Sequence, residues 1–177
     1  LLGCVLGALS APRAHAAPIT VTTNTDTGAG SLRAAIAAAN LSGDASNTIT
    51  FQLGTATATI TLASALPDIS VPLLIDGTAT PNLTLTASTD ALVTIAEDAT
   101  QLKDVRVSAG IITVKLNAQI EISAASSQTL SQVITDQGSF EKLGSGTLIL
   151  TGANDFSGGI SVSAGALQGR ADRLPGP

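Results

Sequence analysis

The chain has no tryptophan, tyrosine or methionine and only three phenylalanines among its 177 residues. Ordinary globular cores draw much of their buried area from those side chains, so this core must be assembled from Val, Ile, Leu and Ala. Lysine and arginine number 8 against 13 acidic residues, for a net charge of -5 and a pI near 4.5. That balance lacks the basic footprint that holds phosphate backbones or anionic membrane surfaces, and nucleic acid is excluded as a partner. Charged residues make up only 12%, while 44% are hydrophobic and 17 are glycine. The apolar share is high enough for a folded chain, and Thr, Ser, Asn and Gly in place of Lys and Glu favour strands and turns over helices.

Cysteine and histidine occur once each, as Cys4 and His15. Leu1 to Leu9 is an unbroken run of apolar or small residues, followed by Ser10, Pro12, Arg13 and Ala14-His15-Ala16-Ala17-Pro18. This has the form of the apolar region and small-residue cleavage site of a secretory signal cut after Ala16. Residues 1–16 are therefore assigned as a signal peptide, and the run is too short to span a bilayer as a helix. With no Met and no basic segment in front of it, the chain is expected to be a fragment that begins upstream. Leu1-Leu2-Gly3-Cys4 also has the form of a lipobox, which would lipidate Cys4, but the apolar residues continuing to Leu9 favour an ordinary signal-peptide cysteine. Cleavage would leave a mature chain with neither Cys nor His. That removes disulfides, His or Cys metal sites, a Ser-His-Asp triad and an imidazole base. No catalytic, cofactor-binding or metal residue is assigned, and no cofactor is expected.

After Pro18, apolar and polar residues alternate in short bursts: Ile19 to Thr23, Ile49-Phe51-Leu53, Ile60-Leu62, Leu73-Ile75, Leu83-Leu85, Val93-Ile95, Val105-Val107, Ile112-Val114-Leu116, Ile120-Ile122, Leu148-Leu150 and Ile160-Val162. Period two marks strands with one face in a core. Turn signals such as Asp76-Gly77, Pro81-Asn82, Ala109-Gly110, Gly144-Ser145-Gly146 and Gly158-Gly159 separate them. The rhythm of about eleven residues suits a sandwich, a barrel or a β-solenoid. The missing aromatics, the asparagines at strand ends (Asn24, Asn82, Asn117, Asn154) and the absence of Asn-Gly hairpin turns favour the solenoid. Coils of about 20 to 24 residues would give about seven turns and a rod of roughly 30 to 35 Å.

One segment departs from period two. Ser31 to Asn40 is alanine-rich and places Leu32, Ala35, Ile36 and Ala39 on one helical face, with Ser31 as N-cap and Asn40 with Gly43 as exit. A stack of parallel strands exposes unpaired backbone at its end, and this helix is expected to cover the N-terminal one. A partner-binding helix is the alternative.

Two stretches carry resemblances. Asp26-Thr27-Gly28-Ala29-Gly30-Ser31-Leu32-Arg33 through Asn40, followed by Asn47-Thr48-Ile49-Thr50-Phe51, resembles the GSLR-type opening of bacterial secreted parallel β-helices, although Gly30 stands where a related version has Cys. Residues 140–168 resemble the autotransporter-associated β-strand repeat, whose pattern is filled at Lys142, Gly144, Gly146, Leu148, Leu150, Gly152, Asn154, Phe156, Gly158, Gly159, Val162, Gly165 and Leu167. The resemblance implies an all-β, right-handed parallel β-helix with one short N-terminal capping helix, forming part of a passenger carried to the cell surface by a C-terminal outer-membrane translocator barrel. No barrel strands occur before Pro177. The pattern predicts that Leu148, Leu150, Ile160, Val162 and Leu167 point inward and that Phe156 fills a corner.

Other motifs carry less. Asn24-Thr25-Asp26 matches the NTD signature of polygalacturonases, but those sites need further carboxylates and a His. Glu97 and Asp98 would point to opposite faces of a strand, and Asp104 and Arg106 would share a face as a surface ion pair. No nucleophile-elbow, P-loop, EF-hand or calcium nonapeptide signature occurs.

The organisation expected is a signal peptide (1–16), an N-terminal strand and capping helix (17–47), coils (48–168) and a ragged end (169–177). The functional expectation is a non-enzymatic scaffold, secreted or displayed at the cell surface or outer membrane. It would have adhesion to a host glycan or surface protein as a further role. A polysaccharide-degrading enzyme and an inert spacer for an effector domain outside the fragment are the alternatives. Taken alone, the fragment is expected to aggregate or stay partly unfolded for want of a C-terminal cap.

Overall fold

The computed structural model describes residues 17–55, 57–87, 91–96, 100–115, 119–123, 127–130, 133–135, 137–154 and 157–169. The expected signal peptide with Cys4 and His15, and Glu97, Asp98, Leu116, Asn117 and Phe156, lie outside the described residues.

The chain winds as a parallel β-solenoid. The first coil holds β1 (Ile19–Val21) and α1 (Leu32–Leu41), and the second holds β2 (Asn47–Phe51) and β3 (Thr59–Leu62). The third contains β4 (Leu73–Asp76), β5 (Thr84–Ala87) and β6 (Ala91–Ile95), and the fourth β7 (Thr100–Lys103), β8 (Arg106–Val107) and β9 (Ile111–Val114). Next come β10 (Gln119–Ser123), β11 (Gln128–Leu130) and β12 (Ile134–Thr135), then β13 (Ser139–Leu143) with β14 (Thr147–Leu150), and last β15 (Ile160–Val162) with β16 (Ala166–Gly169).

Every strand pair is parallel. The first face is a seven-stranded sheet in the order β1-β2-β4-β7-β10-β13-β15. The second face begins as β3-β5-β8 and resumes as β11-β14-β16, with β11 packed beside β8. The third runs β6-β9-β12, extended at one end by a bridge from Ile69 to Ile95. At the other end the Asn154 side-chain oxygen accepts the Ile134 N–H at 2.9 Å. Asn154 is buried and does the work of a ladder bond there. Of the asparagines expected at left-handed turns, Asn82 takes φ 60, whereas Asn154 and Asn24 do not adopt positive φ.

Coil length is less uniform than the 20 to 24 residues expected. Ile49, Ile75 and Leu102 are successive register partners separated by 26 and 27 residues, whereas Thr100, Ile120, Phe140 and Ile160 follow one another at intervals of 20. The additional residues of the early coils lie in the turns and arcs between strands. The coil therefore narrows at its fourth turn, leaving a step in the outer profile. Gly169, expected in a ragged end, closes β16 in register with Leu150.

The core is a stack of aliphatic rungs, with Ile49, Ile60, Leu62, Ile95, Ile112 and Leu148 fully buried. Phe51 and Phe140 are the buried aromatics among the described residues. Removing a side chain of Leu148's size and burial is worth about 3–5 kcal/mol, so a narrow core can still be well held when every rung stacks. Strands β7, β11 and β13 break the apolar alternation because each sends a polar residue inward: Thr100, Gln128 and Lys142 are buried.

Val162 stands at the open end of the inward row. It stands in register with buried Lys142 yet is 47% exposed. It belongs to the last described coil, and no described residue covers its far side. Ile160 and Leu167 in the same coil are half-buried, while Leu148 and Leu150 one coil earlier are fully enclosed.

Candidate functional site

Polar groups gather at three places. The first surrounds α1, which packs its buried face (Leu32, Ala35, Ile36, Ala39) against β1 and β2. Ser31 starts the helix: its Oγ accepts the Ala34 N–H at 3.2 Å and donates to the Gly28 carbonyl at 2.8 Å. Such an N-cap is worth about 1 kcal/mol. At the exit, Ser42 Oγ lies 3.0 Å from the Ala39 carbonyl and 2.9 Å from Asn47 Oδ1.

The outer flank of this helix grips the arc 63–70 of the second coil. Arg33 pairs with Asp26 at 2.6 Å and donates to the carbonyls of Ser64, at 2.9 Å, and Ala65. Asp26 uses its other oxygen to accept the Ala63 N–H at 3.2 Å. Asn40 works in both directions, donating to the Asp68 carbonyl at 2.7 Å and accepting the Ser70 N–H at 3.1 Å. Five backbone groups that would otherwise face water without strand partners are thereby satisfied. Asp26, the acid of the Asn24-Thr25-Asp26 motif, is committed to this clasp.

The second place is the turn between the first and second faces. Lys103 pairs with Asp76 at 3.0 Å across adjacent coils, and the Thr78 N–H donates to Asp76 at 2.9 Å. Burial acts to raise the Asp76 pKa, but the hydrogen bonds from Thr78 and the nearby Lys103 ammonium outweigh it and hold the carboxyl below the ordinary aspartate value. A carboxyl depressed in the folded chain contributes stability that is present above the unfolded value of about 3.9 and lost as pH falls through the folded one. Urea titrations of the chain and of Asp76→Asn should accordingly differ at neutral pH and converge in acid, once pH has fallen through the depressed carboxyl pKa. Equal gaps at both pH values would contradict this assignment.

Asp104 and Arg106 lie nearby. Asp104 takes φ 51 and sits between β7 and β8, so the two residues do not share one extended strand as expected. Thr78 Oγ1 donates to Asp104 at 3.4 Å.

The third place is the segment 140–168. Lys142 is fully buried, and its Nζ donates to the carbonyls of Leu143, of Gly144 at 2.8 Å and of Ala164 at 3.4 Å, joining two coils. Burial pushes its pKa below the ordinary lysine value. Folding should therefore grow more favourable as pH rises through the depressed folded pKa towards the unfolded value of about 10. Lys142→Ala strips three carbonyls of a donor and empties space around the aliphatic stem. It should cost about 3 kcal/mol in a urea titration, and a loss below about 0.5 kcal/mol would contradict the role.

The remaining residues of the segment are placed by stacking. Gly144 and Gly146 form the turn from β13 to β14, Gly152 is buried after β14, and Gly158 and Gly159 lead into β15. The Ser163 hydroxyl donates to Glu141. Sequence reading placed Lys142 in the repeat pattern without giving it this task, although its inward position could have been counted from Phe140. Among the described residues, no group of three or more His, Cys, Asp or Glu comes together, and no helix is long and apolar enough to cross a membrane.

A family model described as the passenger-associated-transport-repeat matches residues 140–168. The match covers the segment built around Lys142 and leaves the resemblance over residues 26–51 without a counterpart. No curated protein and no solved structure matches the chain. The repeat and the parallel solenoid are together consistent with an autotransporter passenger region and a structural, scaffold role.

Proposed function

We propose that this chain is the scaffold of a surface-displayed autotransporter passenger, with α1 as the cap of its first coil. The observation that carries the reading is the transport-associated repeat at 140–168, whose polar and glycine positions are occupied by stacking. Its working partner is an outer-membrane translocator barrel, reached after signal-directed export, and its working place is the cell surface or the medium.

The carboxylates support a scaffold over a polysaccharide-cleaving enzyme. Asp26 is held by Arg33, Asp76 by Lys103, and Asp68 lies 3.7 Å from Lys115, while Asp104, which shares Thr78 with Asp76, takes the Thr78 hydroxyl. An acid/base pair needs two carboxylates converging on one substrate bond. Adhesion through the outward rows is a second role, favoured by polar side chains such as Thr48, Thr50 and Gln101 on the broad first face.

Replacing residues 19–168 of the parent protein by an unrelated solenoid of equal length tests the reading. Display on the cell should persist, while cell or glycan binding should fall to background. Retained binding would make the segment a pure spacer, and a new hydrolytic defect in the replaced strain would establish the enzyme instead.

A further inference from the structure

The step left by the narrowing coil encloses a notch with a chemistry the scaffold does not require. Seven residues, 77–83, link β4 to β5, but only Asp104 and Val105 link β7 to β8 one coil below. The longer turn lies one coil before the shorter one. At these turns lies a cavity of about 220 Å³ lined by Gly77, Thr78, Asn82, Asp104, Arg106 and Gln128, with Pro81 at its side. These residues come from three successive coils. The two non-glycine residues with positive φ among the described residues, Asn82 (φ 60) and Asp104 (φ 51), both line it. A second hollow, at the turn of the second coil, is larger at about 450 Å³ but is lined by Thr20, Thr50, Phe51, Leu53, Ala79 and their neighbours, with no charged group. A hollow on this solenoid thus does not by itself gather these groups.

The lining offers hydrogen-bond donors and acceptors in nearly equal measure. Arg106 is exposed and its guanidinium has no ion-pair partner among the described residues. Gln128 is buried, with its amide donating to the Val105 carbonyl at 2.5 Å, so this wall is fixed in place. The Asp104 carboxylate already accepts from Thr78 and, like any carboxylate, has lone pairs for further donors. The named lining residues carry one carboxylate, Asp104, and one guanidinium, Arg106. An anion would gain little here, and an apolar group would find the Pro81 ring as the one apolar side chain of the lining. A pair of neighbouring hydroxyls, each of which both donates and accepts, matches such a lining. The volume falls below the range of about 300 Å³ upward typical of drug-sized ligands and suits a single ring.

We propose that this notch binds one neutral sugar unit of a glycan, with Asp104 accepting from its hydroxyls and Arg106 and Asn82 donating to them. The inference gives the adhesive role of the proposed function a ligand class, but its chemistry rests on the notch alone.

The test uses the purified full chain. An array of neutral and acidic oligosaccharides is screened, and hits are titrated by calorimetry while backbone amides are followed by NMR. A neutral saccharide should bind, shift the amides of Thr78, Asn82, Asp104 and Arg106, and bind at least tenfold more weakly to Arg106→Ala and to Asp104→Asn. Asparagine tolerates the left-handed backbone, so Asp104→Asn should keep the fold and the melting temperature. The proposal is overturned if no saccharide shifts those amides, if the shifts lie elsewhere, or if binding is confined to acidic sugars or inorganic sulfate and ignores Asp104→Asn. Binding that persists in a chain never found on the cell surface would refute the display reading and leave this one standing.

Discussion

Gly165→Ala is expected to detach the seventh coil from the sixth. Gly165 has φ 69, and a Cβ there would lie 2.3 Å from the Gly146 carbonyl oxygen and 2.5 Å from that of Gly144. The left-handed backbone alone costs an alanine roughly 1–2 kcal/mol. The overlap is with backbone of the coil above, which cannot rotate aside, so β16 must move away from β14 and give up its ladder. The combined cost should reach about 3 kcal/mol or more. Hydrogen exchange reads it directly: amides of Ala166–Gly169 should lose protection while those of β2 and β4 keep theirs. Gly158→Ala should behave alike, because its Cβ would meet the Gly138 carbonyl at 2.3 Å. Gly159→Ala is the control for the backbone cost alone, since Gly159 also has positive φ, at 96, but a Cβ there meets nothing within 4 Å. Equal exchange in Gly165→Ala and Gly159→Ala would show that close coil-to-coil approach does not limit the segment.

The second large effect is expected at the other end. Arg33→Ala removes the 2.6 Å pair with Asp26 and the bonds to the Ser64 and Ala65 carbonyls. Both side chains are about four-fifths buried, at 21% and 17% exposure, so the surviving Asp26 is left with a poorly solvated charge. Fully buried pairs cost about 3–5 kcal/mol when broken this way, and partial exposure reduces the figure here to about 2–3 kcal/mol. A loosened α1 also uncovers apolar rungs and unpaired backbone, so light scattering should show association well below the unfolding midpoint. Arg33→Lys should recover only part of the loss, because an ammonium cannot span carboxylate and carbonyls as the guanidinium fork does. Wild-type stability and solution size in Arg33→Ala would refute the proposed capping role.

The solenoid was legible because its inward residues are aliphatic at period two in β3, β5 and β9, and because Ser31 to Asn40 switches to helical spacing. The helix runs from Leu32 to Leu41, with Ser31 as its cap. Strands that place Thr100, Gln128 or Lys142 inward could not be found that way, since a buried polar residue hides the alternation. Gln128 and Lys142 are buried against partners in other coils, the Val105 and Ala164 carbonyls, whereas the buried Thr100 hydroxyl has no hydrogen-bond partner among the described residues. The change in coil length was likewise hidden, because loop residues carry no periodicity, and with it the notch at residues 77–83. Asp26 shows the same limit from the opposite side: as a sequence motif it suggested catalysis, and as a folded residue it clasps the helix.

The central claim is that this solenoid is displayed outside the cell as a passenger scaffold. Antibodies against residues 100–169, applied to intact cells expressing the parent protein, test it most directly. Labelling of unbroken cells, lost after brief external proteolysis, is the predicted result; labelling that requires permeabilised cells would contradict the account.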